Sequence, residues 1–201
     1  MSNPYFDKVY KARTEDETRD LYDGWAATYE QAVQDEGYAT PRRCAEALHA
    51  TLGDAQAPVL DFGCGTGLSG LALRLAGFST IDGIDLSPGM LAHAREKDIY
   101  RTLTPIGPDD PVPTGYAAVA AIGVIGAGAA PLAALDRIFE ALDAGAQCVF
   151  SFNDHTLEDP TFEALVNRWI ADGRLRQLFR EHGPHLPGKN INSTVYVLEK
   201  V

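Results

Sequence analysis

Val59-Leu60-Asp61-Phe62-Gly63-Cys64-Gly65-Thr66-Gly67 reads as a short apolar strand running into a glycine-rich turn, and residues 68–76 behind it have helical periodicity closed by Gly77. The glycines let the backbone turn tightly and let a ligand come close where a Cβ would collide, while the helix that follows presents free N–H groups. Strand, turn and helix together predict a nucleotide-type loop. Alone the loop is ambiguous, because Gly65, Gly67 and Gly70 also satisfy the dinucleotide fingerprint and Asp85 lies twenty residues after Gly65, where a ribose-binding acid is expected.

Asp61 separates the two readings. A carboxylate at the end of the first strand would sit beside a loop meant to hold a pyrophosphate, and like charges at that range repel. S-adenosylmethionine has no phosphate; it carries an ammonium and a sulfonium, so an acid here helps retain it directly or through water. Asp85, ending the next strand, has an acceptor-only carboxylate suited to both ribose hydroxyls. The two acids together select a cationic nucleoside, against the plainer reading that they are strand-end or capping residues.

Outward from this turn the chain alternates strand and helix. Residues 79–84 predict a second strand ending at Asp85, Ser87 and Pro88 an N-cap and first helical residue for a helix over 89–97, and residues 99–104 a weaker strand before a proline-rich loop at 105–113. A buried strand over 116–122, a helix over 131–142 and a strand over 147–152 follow. Upstream, residues 15–34 predict an amphipathic helix and Pro41 starts another running to Leu52, ended by Gly53. Downstream, residues 160–173 predict a helix and 193–200 a terminal strand closing a β-hairpin edge. The fold class expected is α/β: a Rossmann-like doubly wound sheet, mostly parallel with an antiparallel C-terminal edge, helices on both faces. We expect one domain over 1–201, with a helical lid at 1–53, a cofactor-binding core at 54–152 and an acceptor-side region at 153–201.

Composition narrows the partners. Lys and Arg total 17 against 28 Asp and Glu, a formal charge of −11 that repels phosphate backbones, so nucleic acid is not expected. Arg174, Arg176 and Arg180 read as the solvated side of a helix. Three scattered cysteines fit neither a disulfide framework nor a zinc site, and no apolar stretch is long enough to span a bilayer. A cytoplasmic protein without a membrane or metal partner is the expectation. Cys64, inside the turn, reads as a small apolar filler.

Three segments, Asp61-Phe-Gly63-Cys-Gly65-Thr-Gly67, Gly83-Ile-Asp85-Leu-Ser87-Pro88-Gly-Met90 and Gly123-Val124, make the sequence resemble the class I S-adenosylmethionine-dependent methyltransferase family over nearly its whole length. Tyr22 to Tyr29, with Gly37-Tyr38 and Pro41, looks like the lid of the branch that includes methyltransferase-like protein 27. The resemblance implies that Asp61, Gly63, Gly65 and Gly67 cradle the methionine portion, that Asp85 holds the ribose, and that Leu86 and Met90 line the adenine. It also implies that Ile106, Gly107 and Gly123 contact the cofactor and that Tyr22, Trp25 and Tyr29 cover it. By spacing alone those three aromatics read as core packing.

The chain departs from the family in three places. Relatives usually carry an acid after the third strand, where this chain has Ile106-Gly107; they tend to open the fourth strand with Phe-Asp-Ala, where this chain has Tyr116-Ala117-Ala118; and the often polar segment after that strand has become Gly126-Ala127-Gly128-Ala129-Ala130. His155, after the fifth strand, is a candidate base, and it reads equally as a surface or capping histidine. His182 and His185, in a Gly-Pro-rich stretch, lack further ligands to complete a metal site. The function expected is methyl transfer to a small-molecule acceptor. The alternatives are a cofactor-binding scaffold with reduced activity, suggested by the stripped 126–130 segment, and a nicotinamide-dependent oxidoreductase, opposed by Asp61.

Overall fold

The computed structural model describes residues 17, 30, 35–126 and 129–201. Seven strands form one sheet: β1 Val59–Phe62, β2 Ile81–Asp85, β3 Thr102–Pro105, β4 Ala118–Ala121, β5 Gln147–Asn153, β6 Leu175–Leu186 and β7 Ile191–Lys200. Their order is β3-β2-β1-β4-β5-β7-β6, parallel from β3 to β5, with β7 antiparallel to both β5 and β6. Helices α1 Thr40–Leu52, α2 Leu68–Leu75, α3 Pro88–Glu96, α4 Leu132–Ala141, α5 Asp154–Leu157 and α6 Thr161–Ala171 complete the described elements with a short 3-10 turn at Pro187–Lys189.

Strand alternation builds two cores, because successive side chains leave opposite faces of a sheet. Val59, Ala118, Ala120, Val149, Val195 and Val197 pack with Cys44 and Leu48 of α1 and Leu73 of α2. Their neighbours Leu60, Val119, Ala121, Phe150, Tyr196 and Leu198 pack with Leu135, Ile138 and Phe139 of α4 and Trp169 of α6. The central strands are buried on both faces, which explains why they read as continuous apolar runs.

The connection decides where a ligand can sit. From β1 the chain winds outward through β2 to β3, then crosses back to place β4 on the other flank of β1. That reversal opens a crevice at the carboxyl ends of β1 and β4, the place where open α/β sheets bind ligands. On its β2 side Ser87 caps α3: its Oγ accepts from the Met90 N–H at 3.0 Å. Ser87→Ala is expected to lower stability by about 1 kcal/mol, read as a lower urea midpoint at unchanged slope. An unmoved midpoint would mean the cap is redundant.

The C-terminal region corrects two expectations. Arg176 and Arg180 lie on β6, with Arg174 just before it, and His182 and His185 lie on the same strand rather than in a loop. Only the ends of β6 are buried, so the apolar alternation that reveals a half-buried strand is absent. Register shifts at Gln177/Phe179 and Pro184/Leu186, with charged side chains between, suit an edge that must not pair further. The arginines are tied down: Arg174 reaches Glu140 at 2.7 Å and Arg180 reaches Glu163 at 2.8 Å. Among the described residues no group of His, Cys, Asp and Glu could hold a metal ion, and no helix is long and apolar enough to cross a membrane.

Candidate functional site

The crevice is a cleft of about 1140 Å³, counting its open mouth. The turn after β1 forms its floor. Gly63 and Cys64 both donate their N–H to the Ile84 carbonyl, at 2.8 and 3.0 Å, which binds the turn to β2. Gly63 has φ 68°, and a Cβ there would stand 2.5 Å from Val124 Cγ2. Glycine is therefore required both by conformation and by the close approach of the turn after β4. Gly123 is held in the same way, at φ 68°, with the Tyr38 hydroxyl where a Cβ would project.

Asp85, at the end of β2, joins two walls of the cleft. Its Oδ2 accepts from the Gly65 N–H and its Oδ1 from the Ser87 N–H, each at 2.8 Å. One carboxylate thus fixes the glycine turn relative to α3. Charge-assisted bonds of this kind are about twice as strong as neutral ones.

Asp61 behaves differently. It is fully buried, and its Oδ2 accepts from Ser69 Oγ at 2.6 Å and from the Tyr100 hydroxyl at 2.7 Å. Burial raises its pKa from 3.8 to about 6; the Ser69 and Tyr100 donors pull it down and the Asp85 charge pushes it up. Asp61 Oδ1 and Thr66 Oγ1 are the two buried side-chain polar atoms among the described residues that have no hydrogen-bond partner. Both belong to the glycine-rich segment, and Thr66 lines the cleft. Orphaned buried polar atoms are rare in folded proteins, and these two, one at the end of β1 and one in the turn, suit a polar group bound over the turn.

Of the residues singled out from sequence, Gly63, Gly65, Asp85, Leu86, Met90, Ile106, Gly107 and Gly123 all line this cleft. Gly67 does not; it caps α2 at φ 95° and packs toward Lys97 and the Tyr100 ring. Asp61 lies under the floor instead of in the wall. The backbone at Ile106 and Gly107 is already engaged, with the Ile106 N–H on the Asp85 carbonyl at 3.0 Å and the Gly107 N–H on Asp110 Oδ2 at 2.6 Å. His155 is exposed on α5, 3.4 Å from Glu158, and does not line the cleft. Tyr22, Trp25 and Tyr29 lie outside the described residues, as do Ala127 and Gly128. The Cys64 thiol is buried, and burial first, then the Asp61 and Asp85 charges, push its pKa up, so it remains protonated and serves as filler.

The cleft also recruits Tyr38, Pro41 and Arg137, which sequence reasoning did not place in the site. Tyr38 sits edge-on to His185 with ring centroids 5.2 Å apart. His185 is buried against Thr40, 2.8 Å from its Nδ1, and burial lowers its pKa to about 4, so it is neutral. Arg137 bonds the Pro108 carbonyl and is the one basic side chain lining the cleft among the described residues. Tyr38 had a sequence signal, its place beside Gly37 in the lid-like segment. Arg137 had none, since one arginine on an amphipathic helix reads as its solvated face.

Residues 36–195 match the family described as a methyltransferase domain. Human methyltransferase-like protein 27 is 34% identical over 135 residues, 64% of this chain; the chain spans 55% of that protein's length. Among solved structures, the cyclase SpnF superposes with a TM-score of 0.70 at 16% identity, covering 94% of this chain and 97% of that one. Magnesium protoporphyrin IX methyltransferase from Synechocystis PCC 6803 with bound S-adenosylmethionine superposes with a TM-score of 0.61 at 15% identity, covering 98% and 90%. These two show the fold. The domain match runs through both halves of the sheet and takes in the glycine turn, Asp85 and the antiparallel edge, so the chain belongs to the class I S-adenosylmethionine-dependent methyltransferase family.

Proposed function

We propose that the protein transfers the methyl group of S-adenosylmethionine to a small-molecule acceptor. The observation that carries this reading is the buried, half-satisfied Asp61 carboxylate directly beneath a glycine turn. An acid in that place suits an ammonium-bearing ligand and opposes a pyrophosphate. S-adenosylmethionine supplies a sulfonium-bound methyl group, transferred by in-line displacement. The protein's own contribution is then alignment. Thr66, with Asp61 beneath the turn, meets the ammonium end of the methionine portion over Gly63 and Gly65; Asp85 takes the ribose; Leu86, Met90, Ile106 and Gly107 enclose the base. Gly123 and Tyr38 flank the route to the acceptor.

A small acceptor is supported by a cleft whose far wall consists of Ile122, Val124, Ala129, Ala130 and Pro131, and by the formal charge of −11, which disfavours polyanions. The three cysteines are free and buried, which suits a reducing, cytoplasmic setting. A second reading, a cofactor-binding scaffold, is favoured by that same far wall, which carries no imidazole or carboxylate.

Calorimetric titration with S-adenosylmethionine, S-adenosylhomocysteine and NAD tests the cofactor reading. The first two are expected to bind and NAD to produce no heat; binding of NAD alone would overturn it. Incubation with methyl-deuterated cofactor and a panel of small hydroxyl, amine and thiol compounds then reads transfer by mass. Tight cofactor binding without labelled product across the panel would replace the enzyme with the scaffold.

A further inference from the structure

Tyr100 lies just before β3, thirty-nine positions from Asp61, yet its hydroxyl donates to Asp61 Oδ2. Its ring fills a slot that three glycines leave open. A Cβ on Gly70 would collide with the Tyr100 hydroxyl, one on Gly83 would stand 2.9 Å from its Cδ1, and one on Gly67 would stand 3.3 Å from its Cε2. These glycines come from α2, β2 and the turn itself, so the ring is gripped from three elements. Ser69, on α2, donates to the same Oδ2. Two donors on one oxygen fix the rotation of the carboxylate, and the other oxygen is buried without a partner.

We propose that Tyr100 is a positioning residue for cofactor binding: by holding Oδ2 of Asp61 it reserves Oδ1 for the ammonium group of the ligand. The inference rests on the reading that Asp61 meets that ammonium. The titratable groups around the carboxylate are Tyr100 from the approach to β3, Cys64 from the turn and Asp85 from β2. The Tyr100 hydroxyl, raised by burial and by the Asp61 charge, stays a donor across the working pH range. Removing it takes away one of the two bonds that favour the ionised acid, so Asp61 ionises at higher pH.

The test is Tyr100→Phe, which keeps the ring in its slot. Affinities for S-adenosylmethionine, S-adenosylhomocysteine and 5′-methylthioadenosine, which lacks the amino-acid portion, are measured by calorimetry between about pH 5.5 and 8.5. The variant is expected to bind the first two about tenfold more weakly near neutral pH, the scale of one hydrogen bond to a charged group. It is also expected to bind methylthioadenosine unchanged and to shift the pH inflection of S-adenosylmethionine affinity upward. A merely structural role would weaken all three ligands alike and overturn the inference. Asp61→Asn separates the two layers: if it spares S-adenosylmethionine binding, the Asp61 reading fails and the inference with it. If it abolishes binding while Tyr100→Phe binds like the wild type, the inference alone fails. Ser69→Ala, which removes the other donor to Oδ2, is expected to repeat the ligand pattern and serves should Tyr100→Phe not fold.

Discussion

Asp85→Ala is expected to weaken S-adenosylmethionine binding at least about a hundredfold while leaving a folded protein. The Asp85 carboxylate accepts from the Gly65 and Ser87 N–H groups, one from each wall of the cleft. Each hydrogen bond to a charged group contributes about 1.5–3 kcal/mol, and the ribose contacts assigned to this carboxylate disappear together with them. Asp85 is half-buried at the cleft, so water can reach the freed N–H groups and the unliganded protein loses less than the ligand does. Asp85→Asn should recover little, because an amide has one acceptor oxygen and turns an N–H toward one of two backbone donors. Calorimetry on both variants, with urea denaturation of each without ligand, checks the partition. Binding within threefold of wild type would remove Asp85 from the site.

The parts of this molecule legible in sequence are those where local chemistry and tertiary role coincide. Residues 59–67 announce a strand and a ligand loop because burial on both faces and the need for positive φ leave direct marks, apolar runs and glycines. Ser87 and Pro88 mark the start of α3 for a similarly local reason. The edge strand β6 left no such mark: its middle faces solvent, and Gly183 and Pro184 mimic a loop at a register shift. Tyr100 and Arg137 were hidden because their roles come from distance. Tyr100 meets Asp61 only after α2 and β2 have folded between them, and Arg137 meets the cleft only because α4 packs across the loop at Pro108. Asp61 was visible as an acid in the right place, but its complete burial, and the choice of one oxygen for support and the other for nothing, are properties of packing.

That burial carries an opposite expectation for stability. In the unliganded fold the pKa of Asp61 is raised from 3.8 to about 6, first by desolvation and further by the Asp85 charge, against the pull of Ser69 and Tyr100. A carboxyl that holds its proton more tightly when folded favours folding while it is protonated. The contribution is complete below about pH 4 and is lost as pH rises through about 6, amounting to roughly 3 kcal/mol for a fully buried group. Asp61→Asn has no proton to lose. Across this window the unliganded wild type is therefore expected to lose about 3 kcal/mol relative to the Asn variant, so that at pH 8 the variant resists urea better although it has lost its cofactor. Denaturation curves at pH 3.5, 6 and 8 read the difference, and parallel profiles for the two proteins would show that Asp61 does not titrate there. Saturating S-adenosylmethionine should restore the lead of the wild type at pH 8, since a ligand that binds only the folded state stabilises it by mass action. A cationic ligand meeting Oδ1 also offsets the burial of the negative charge. Should both results be obtained, the place of this acid is explained by binding, not by folding.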